Sequence, residues 1–327
     1  MKHHSSATLS APRLLSTPTL GAEPASGLWW GMLGVLAFSL TLPLTRVAVD
    51  GLSWLFIGAG RAVLAAVLAG LALAVTRQRL PRGTQWARLG VVGGGVVIGF
   101  PLLTSYAMTS TPAGHGAMVV AALPAATAVA AVLRERSRTA PTFWVAAAAG
   151  VLAAALLASA QGGDLGTWHL ADLLLLAAVG VGAIGYAEGG MLARELGPWQ
   201  TICWALVLWA PVMLALTLFA TWGEPPRASG TQWAAFAYLG AVSMFLGFFA
   251  WYRGLAIGPM HRVSQVQLTQ PVLSLLWAAL LLGESVGPTT ALGGLAVVAC
   301  AAWAVRTRRP RRSSSRPSSR RPVRIAA

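Results

Sequence analysis

Residues 233–255 have the sequence WAAFAYLGAVSMFLGFFAWYRGL, and they repeat the pattern of residues 86–106, WARLGVVGGGVVIGFPLLTSY. Each stretch begins with Trp-Ala and continues with Leu-Gly, then Gly-Phe, then a tyrosine. Each is followed by an apolar segment that contains a proline, Pro124 in the first copy and Pro271 in the second. The chain therefore contains an internal duplication, which organises the predicted fold.

The composition indicates that both copies lie in a membrane. Of the 327 residues, 56% are hydrophobic and only 10% are charged, whereas a soluble domain carries about 25% charged residues. Cys203 and Cys300 fall in apolar runs and lack the spacing of metal ligands. We therefore expect an all-α integral membrane protein without a metal or another cofactor.

Ten segments are long and apolar enough to be membrane-spanning helices, which need about 20 residues. They are residues 27–49, 53–76, 86–109, 113–133, 141–160, 168–192, 199–221, 231–255, 260–282 and 288–306, here called spans 1 to 10. Each copy holds five spans, and because five is odd the copies face opposite ways. The sequence predicts ten transmembrane helices in two inverted five-helix repeats, 27–160 and 168–306, between disordered segments 1–26 and 307–327.

The distribution of positive charge supports this division. With the N-terminus inside, the inner segments hold 21 of the 24 Lys and Arg residues, and the outer loops hold only Arg227. This asymmetry predicts a multi-pass protein of the inner (plasma) membrane with both termini in the cytoplasm. Nine basic residues lie between Arg306 and Arg324, and we expect this tail to contact anionic lipids. Nucleic-acid binding is the alternative, but no recognition motif supports it.

Several short motifs recur in a characteristic order. They are FSLTLPLTR at 38–46, Arg61, YAM at 106–108, HGA at 115–117, Leu123-Pro124, YRGLA at 252–256, Gln270-Pro271 and LGE at 282–284. Over about residues 27–308 this arrangement resembles the EamA family of the drug/metabolite transporter superfamily. The resemblance implies a cavity between the halves, with spans 3, 4, 8 and 9 central and spans 5 and 10 peripheral. Small multidrug pumps of this superfamily exchange protons through a glutamate in the first span, but span 1 contains no acid.

Polar side chains inside spans are candidate substrate contacts, because their burial in hydrocarbon is costly. Gln267, Gln270 and Ser274 recur at helical spacing and share one face of span 9. The other predicted substrate-binding residues are Thr104, Tyr106, Tyr186, Glu188 and Tyr252. Pro124 and Pro271 are predicted to shape the gates, with a simple packing kink as the alternative.

The roles of two titratable residues stay open. Glu188 lies near the inner third of span 6 and has either a structural hydrogen bond or a role in substrate binding or proton coupling. His115 begins span 4, and it is either part of a hydrogen-bonded structure or a coupling residue.

Four other charged residues also have alternative interpretations. Arg46 and Arg61 lie near predicted helix ends and either snorkel, pair with a helix terminus, or contact a substrate anion. Glu135 and Glu284 occupy matching places before the fifth span of each half. We expect both to cap helices, and a coupling acid is the alternative.

The features together predict a secondary transporter of small organic metabolites, specifically an exporter of amino acids or related solutes, that works by alternating access. Drug efflux and the flipping of a lipid-linked sugar are alternatives. A membrane enzyme is a remote alternative, because the chain has nine acidic residues and no cluster of them. The mechanism requires no oligomer.

Overall fold

The computed structural model describes residues 24–136, 140–160, 169–223, 225–257, 263, 266–285 and 287–307. The segment 1–26, predicted to be disordered, lies outside the described residues except for its last three, which belong to the first helix. The basic tail lies outside them from residue 308 onward.

The described residues form helices and connecting turns. The α-helices are α1 (Pro24–Ser39), α2 (Thr41–Val49), α3 (Trp54–Val75), α4 (Thr84–Gly93), α5 (Phe100–Ala107), α6 (Ala113–Val120), α7 (Leu123–Glu135), α8 (Pro141–Ala160), α9 (Leu170–Leu196), α10 (Pro198–Gly223), α11 (Gly230–Ala237), α12 (Gly247–Ile257), α13 (Gln270–Leu282) and α14 (Pro288–Thr307). π-Helical segments join α4 to α5 (Gly94–Gly99) and α11 to α12 (Tyr238–Leu246), and a 3₁₀ turn (Gln267–Thr269) precedes α13.

Among the described residues, seven continuous helical segments are long and apolar enough to cross a membrane. They are Gly27–Val49, Trp54–Val75, Thr84–Ala107, Ala113–Arg134, Leu170–Leu196, Pro198–Trp222 and Gly230–Ile257. The other three predicted spans correspond to shorter apolar stretches, Pro141–Ala153, Gln267–Leu282 and Thr290–Trp303. The protein is thus an all-helical, multi-pass membrane protein over the part that the structure describes.

Two kinds of helix interruption in the first half recur 147 residues later in the second half. The first π-helical segment ends at Gly99 and the second at Leu246. A helix then restarts with a proline in its first turn, at Pro124 in α7 and at Pro271 in α13. Both restarts interrupt a predicted span, because a proline cannot donate the backbone hydrogen bond that a continuous helix needs. The duplication in the sequence is therefore also a duplication of helix interruptions.

The ends of α7 and α13 correct the predicted equivalence of Glu135 and Glu284. Arg136 and Gly283 keep the spacing of the repeat, and both adopt left-handed backbone conformations that end these helices. Glu135 precedes its cap, whereas Glu284 follows its own cap. The two glutamates are thus out of register, and they are not equivalent.

The helix contacts between the halves occur in matching pairs, so that each contact has a counterpart when the two halves are interchanged. α3 packs along its counterpart α10, and α8 packs along its counterpart α14. α1 packs against α12, and α9 correspondingly packs against α4, α5 and the π-helical segment between them. None of the described side chains of α8 and α14, which correspond to spans 5 and 10, lines the cavities described below.

Glycines permit a close crossing between the halves at Gly95. A Cβ atom on Gly95 would overlap the carbonyl oxygen of Val181 and would lie 2.9 Å from the Cα atom of Gly185. Small residues of this kind let helix backbones meet in a membrane, where van der Waals packing holds helices together. The contact fixes α9 against the first π-helical segment, whose Val96 forms part of the cavity wall.

Candidate functional site

A central cavity lies between the two halves and is lined by both. The cavity has a volume of about 40 Å³ that water-sized molecules can occupy. Its wall is formed by Phe38, Thr41, Leu42, Arg61, Val96, Phe100, Pro101, Val120, Leu123, Tyr186, Ser243, Met244, Phe248 and Gln270. Both π-helical segments contribute to this wall, and such segments often occur at functional sites.

A second cavity adjoins the first and shares four of its lining residues. The shared residues are Leu42, Val120, Leu123 and Gln270. The remaining wall comes from Ala117, Pro124, Gln267, Pro271 and Ser274. The two interrupted helices therefore meet at this cavity, which we call the proline cavity.

The inward face predicted for span 9 is present. Gln267, Pro271 and Ser274 are buried and line the proline cavity, whereas Thr269 is exposed. The Nε2 atom of Gln267 and the Oε1 atom of Gln270 are buried and have no hydrogen-bond partner among the described residues. These two amide groups are available to a polar solute.

The predicted site residues divide into three groups. Tyr186 and Gln270 line the central cavity, and Gln267, Pro124 and Pro271 line the proline cavity. Thr104 lies behind the wall and bonds a residue that lines it. The other predicted residues lie elsewhere: Tyr106, Tyr252, Glu188 and His115.

The two remaining tyrosines have packing contacts outside both cavities. Tyr106 is 37% exposed and packs edge-to-face on Trp54, with 4.9 Å between the ring centroids. Tyr252 is fully buried, packs against Phe248 at 5.5 Å, and has a hydroxyl group without a partner. Neither side chain is brought to the substrate position that the sequence suggested.

Arg61 contradicts its interpretation as a snorkelling side chain. It is only 2% exposed and lines the central cavity. Its Nη2 atom donates a hydrogen bond to the Oγ1 atom of Thr104 at 3.3 Å. Arg46, in contrast, is partly exposed and forms a 2.6 Å ion pair with Asp50 one turn later. The two arginines therefore have different roles, although the sequence grouped them together.

An ion-pair cluster around Glu188 joins the halves at one end of α9. This carboxylate is buried and accepts hydrogen bonds from Arg88 on α4 and from Arg134 on α7. Arg88 also bonds Glu195. The cluster links α9 in the second half to two helices of the first half. We call it the Glu188 cluster.

Near the opposite end of α9, two further contacts join the halves. His115 Nε2 lies 2.7 Å from Asp172 Oδ1, and both side chains are buried. The carboxylate of Glu284 accepts hydrogen bonds from the backbone amides of Ala113 and Gly114, each at 2.8 Å. Glu284 therefore caps the start of α6 in the other half, not the fifth span of its own half. A carboxylate at this position also interacts favourably with the helix dipole.

Polar contacts join the halves beside the cavities as well. Thr41 Oγ1 and Ser243 Oγ are 2.8 Å apart across the central cavity wall. Ser274 donates a hydrogen bond to the carbonyl oxygen of Ser39 at 2.7 Å, and the Trp277 indole donates to the Ser39 hydroxyl at 3.0 Å. The interface between the halves is thus polar at both ends and near its centre.

The sequence interpretation missed the partners of Glu188 and His115. Arg88 and Arg134 are 100 and 54 residues from Glu188, and Asp172 is 57 residues from His115. No local pattern identifies such contacts. The position of Arg61, however, can be recognised in the sequence, because a charged residue deep in an apolar span is a candidate functional residue.

Comparison with known proteins agrees with this architecture. The EamA-like transporter family matches residues 25–159 and again residues 169–306. An uncharacterised transporter of Bacillus subtilis, YdeK, is 45% identical over 276 residues, which are 84% of this chain and 96% of the relative. A probable terminal-alkyne amino-acid exporter of Streptantibioticus cattleyicolor is 26% identical over 307 residues, which are 90% of this chain and 99% of that protein.

A solved crystal structure has the same fold. It covers 86% of this chain and 96% of its own chain with a TM-score of 0.58, at 19% sequence identity. The family match falls once on each half of the duplication and together spans most of the chain. The protein therefore belongs to the EamA-like transporter family.

Proposed function

We propose that this protein exports amino acids or closely related small metabolites by alternating access between two inverted five-helix halves. The observation that carries the proposal is the central cavity, whose wall combines uncharged polar groups and aromatic rings from both halves. A site that is shared between repeats is typical of secondary transporters. The probable terminal-alkyne amino-acid exporter of Streptantibioticus cattleyicolor, 26% identical to this chain, supports the substrate class.

The contacts at the two ends supply the proposed gates. The Glu188 cluster closes one end, and the contacts of His115 and Glu284 close the other. Opening either end requires one set of bonds to break while the other set holds. Pro124 and Pro271 interrupt helices at the cavity between these ends, and we assign to them the bending that this motion needs.

His115 and Glu188 are the two candidate residues for proton coupling. We assign the coupling to His115 and not to Glu188. Histidine is the side chain that ordinarily changes its charge between pH 5 and 8. Its partner Asp172 is equally buried and lies on the other half, so a change in charge at this pair alters the contact between the halves. Glu188 already forms ion pairs with two arginines, and we assign it to the gate at its own end of the protein.

The proposed topology has ten membrane spans in the inner (plasma) membrane, with both termini in the cytoplasm and the Glu188 cluster on the cytoplasmic side. The 21-to-1 distribution of basic residues supports it. Single cysteines at Arg79 and Ala228, in a chain without Cys203 and Cys300, test it. A membrane-impermeant maleimide should label position 228 but not position 79 in intact cells, and the reverse pattern would refute the orientation.

Transport is tested with purified protein in liposomes loaded with isotopically labelled L-leucine, L-phenylalanine or L-methionine. We expect efflux of at least one amino acid at several times the rate from protein-free liposomes. Labelled ethidium and a fluorescent lipid-linked sugar are included as probes for the alternatives. Movement of either alternative probe without movement of any amino acid would replace the proposal with drug efflux or lipid flipping.

A further inference from the structure

Arg61 is a buried cation at the wall of the central cavity. It lies on α3, seven residues beyond Trp54, and is only 2% exposed. A guanidinium group stays charged in proteins, and the burial of a charge in a low-dielectric interior is costly unless an opposite charge compensates it. The position of Arg61 therefore requires an explanation.

The protein supplies Arg61 with one neutral partner and, among the described residues, with no acidic one. Thr104 accepts a hydrogen bond from Nη2, and the Nε atom has no partner. Arg46, Arg88 and Arg134 lie elsewhere in the helices, and each of them bonds a carboxylate. Arg61 thus differs from these arginines in lacking a counter-ion.

The remainder of the cavity wall is uncharged. Of the described residues that line either cavity, Arg61 alone carries a charge. Phe38, Phe100 and Phe248 supply apolar surface, and Gln270 supplies an amide oxygen that has no partner. This combination suits a solute with one anionic group and an apolar body, because a guanidinium fork matches the geometry of a carboxylate.

We propose that Arg61 binds the carboxylate of the transported solute, and that the site accepts organic carboxylates and excludes organic cations. The inference rests on the proposed transport function and narrows its substrate class. The carboxylate would replace the missing counter-ion of Arg61, and the free amide oxygen of Gln270 would accept a hydrogen bond from an amino group where the solute has one. A cationic solute would instead meet the uncompensated charge of Arg61.

The test uses two matched series of probes. Within each series the members share an apolar side chain and differ in whether they carry a carboxylate, an amino group or both. One series is L-phenylalanine, 3-phenylpropanoate and L-phenylalaninamide, and the other is L-leucine, 4-methylpentanoate and L-leucinamide. Binding is measured in detergent as the shift in thermal denaturation midpoint with probe concentration, for wild type, Arg61→Gln, Arg61→Lys and Arg46→Gln. Arg46 serves as the matched control because it is an arginine outside both cavities.

We expect the wild type to bind the carboxylate members of at least one series at least tenfold more tightly than the amide member. Arg61→Gln should lose this preference, Arg61→Lys should keep part of it, and Arg46→Gln should keep all of it. Equal binding of acids and amides by the wild type, no binding of any carboxylate, or full retention of the preference in Arg61→Gln would overturn the inference. If Arg61→Gln does not fold, the selectivity of the wild type and the Arg61→Lys variant still decide the question.

The same probes in liposomes separate this inference from the proposed function. Export of amides as fast as acids would leave transport standing and refute the carboxylate site. Export of none of the probes would refute the proposed transport of amino acids itself.

Discussion

Asp172 and Glu188 both lie on α9, and each is bonded by a side chain from the first half. At about 1.5 Å of rise per residue, about 24 Å of helix separates the two carboxylates. Both are buried, at 2% and 4% exposure. α9 is thus attached to the first half at two well-separated points, and a rocking motion of the halves must break these attachments in turn.

Glu188→Gln should lower the stability of the folded protein, because it breaks the ion pairs of the Glu188 cluster. Breaking a buried ion pair costs about 3–5 kcal/mol, but Arg88 and Arg134 are 20% and 55% exposed. Solvent screening therefore reduces the expected loss of stability to about 1–2 kcal/mol. The midpoint of thermal denaturation in detergent measures it. Glu195→Gln removes a 47% exposed carboxylate that bonds Arg88, and an equal loss in that variant would contradict the prediction.

Glu284→Ala should destabilise the start of α6, because the amides of Ala113 and Gly114 would lose their acceptor. Loss of a helix cap costs about 1 kcal/mol. Glu284→Gln keeps one acceptor oxygen and should cost roughly half as much. The exposed neighbour Ser285 provides the control variant Ser285→Ala. Thermal denaturation of the three variants should rank them in this order, and a Glu284→Ala variant as stable as Ser285→Ala would show that the cap contributes nothing.

The buried pair of His115 and Asp172 should show strong energetic coupling. His115→Ala leaves the Asp172 carboxylate in an apolar site without its partner, which should cost about 3 kcal/mol. In a double-mutant cycle with Asp172→Ala, the double variant should recover at least about 1 kcal/mol of the summed losses. Additive losses would mean that the contact between these two side chains does not stabilise the folded protein.

Gly189→Ala should be disruptive, whereas Gly190→Ala should be tolerated. A Cβ atom at position 189 would overlap the hydroxyl oxygen of Tyr252, which is fully buried, and would lie 2.9 Å from its Cζ atom. Overpacking of this kind costs about 1–3 kcal/mol. At position 190 no atom lies within 4 Å, and alanine is the better helix former by up to about 1 kcal/mol. The difference between the two denaturation midpoints tests the contact between α9 and α12, and equal midpoints would show that Tyr252 gives way without cost.

The sequence predicted what depends on local spacing. The helical repeat of Gln267 and Ser274 predicted the inward face of span 9, because side chains three and four residues apart share a face. It did not predict the Glu188 cluster, since the arginines that form it come from distant parts of the chain. The depth of Arg61 in its helix is also predictable from local spacing. Seven residues of helix put it about 10 Å from Trp54, which is too deep to be called a helix end.

Gln270→Ala should impair transport more than stability, because Gln270 lines both cavities and its Oε1 atom has no partner in the part of the chain that the structure describes. A hydrogen bond to a substrate contributes about 0.5–1.5 kcal/mol, so its loss should raise KM for efflux roughly 2- to 13-fold. Thr269→Ala is the matched control, since Thr269 is adjacent but exposed and bonds only the carbonyl oxygen of Val266. Initial rates from liposomes give KM, and thermal denaturation excludes unfolding as the cause. An unchanged KM in Gln270→Ala would remove this amide from the substrate site and leave it a packing residue between the two cavities.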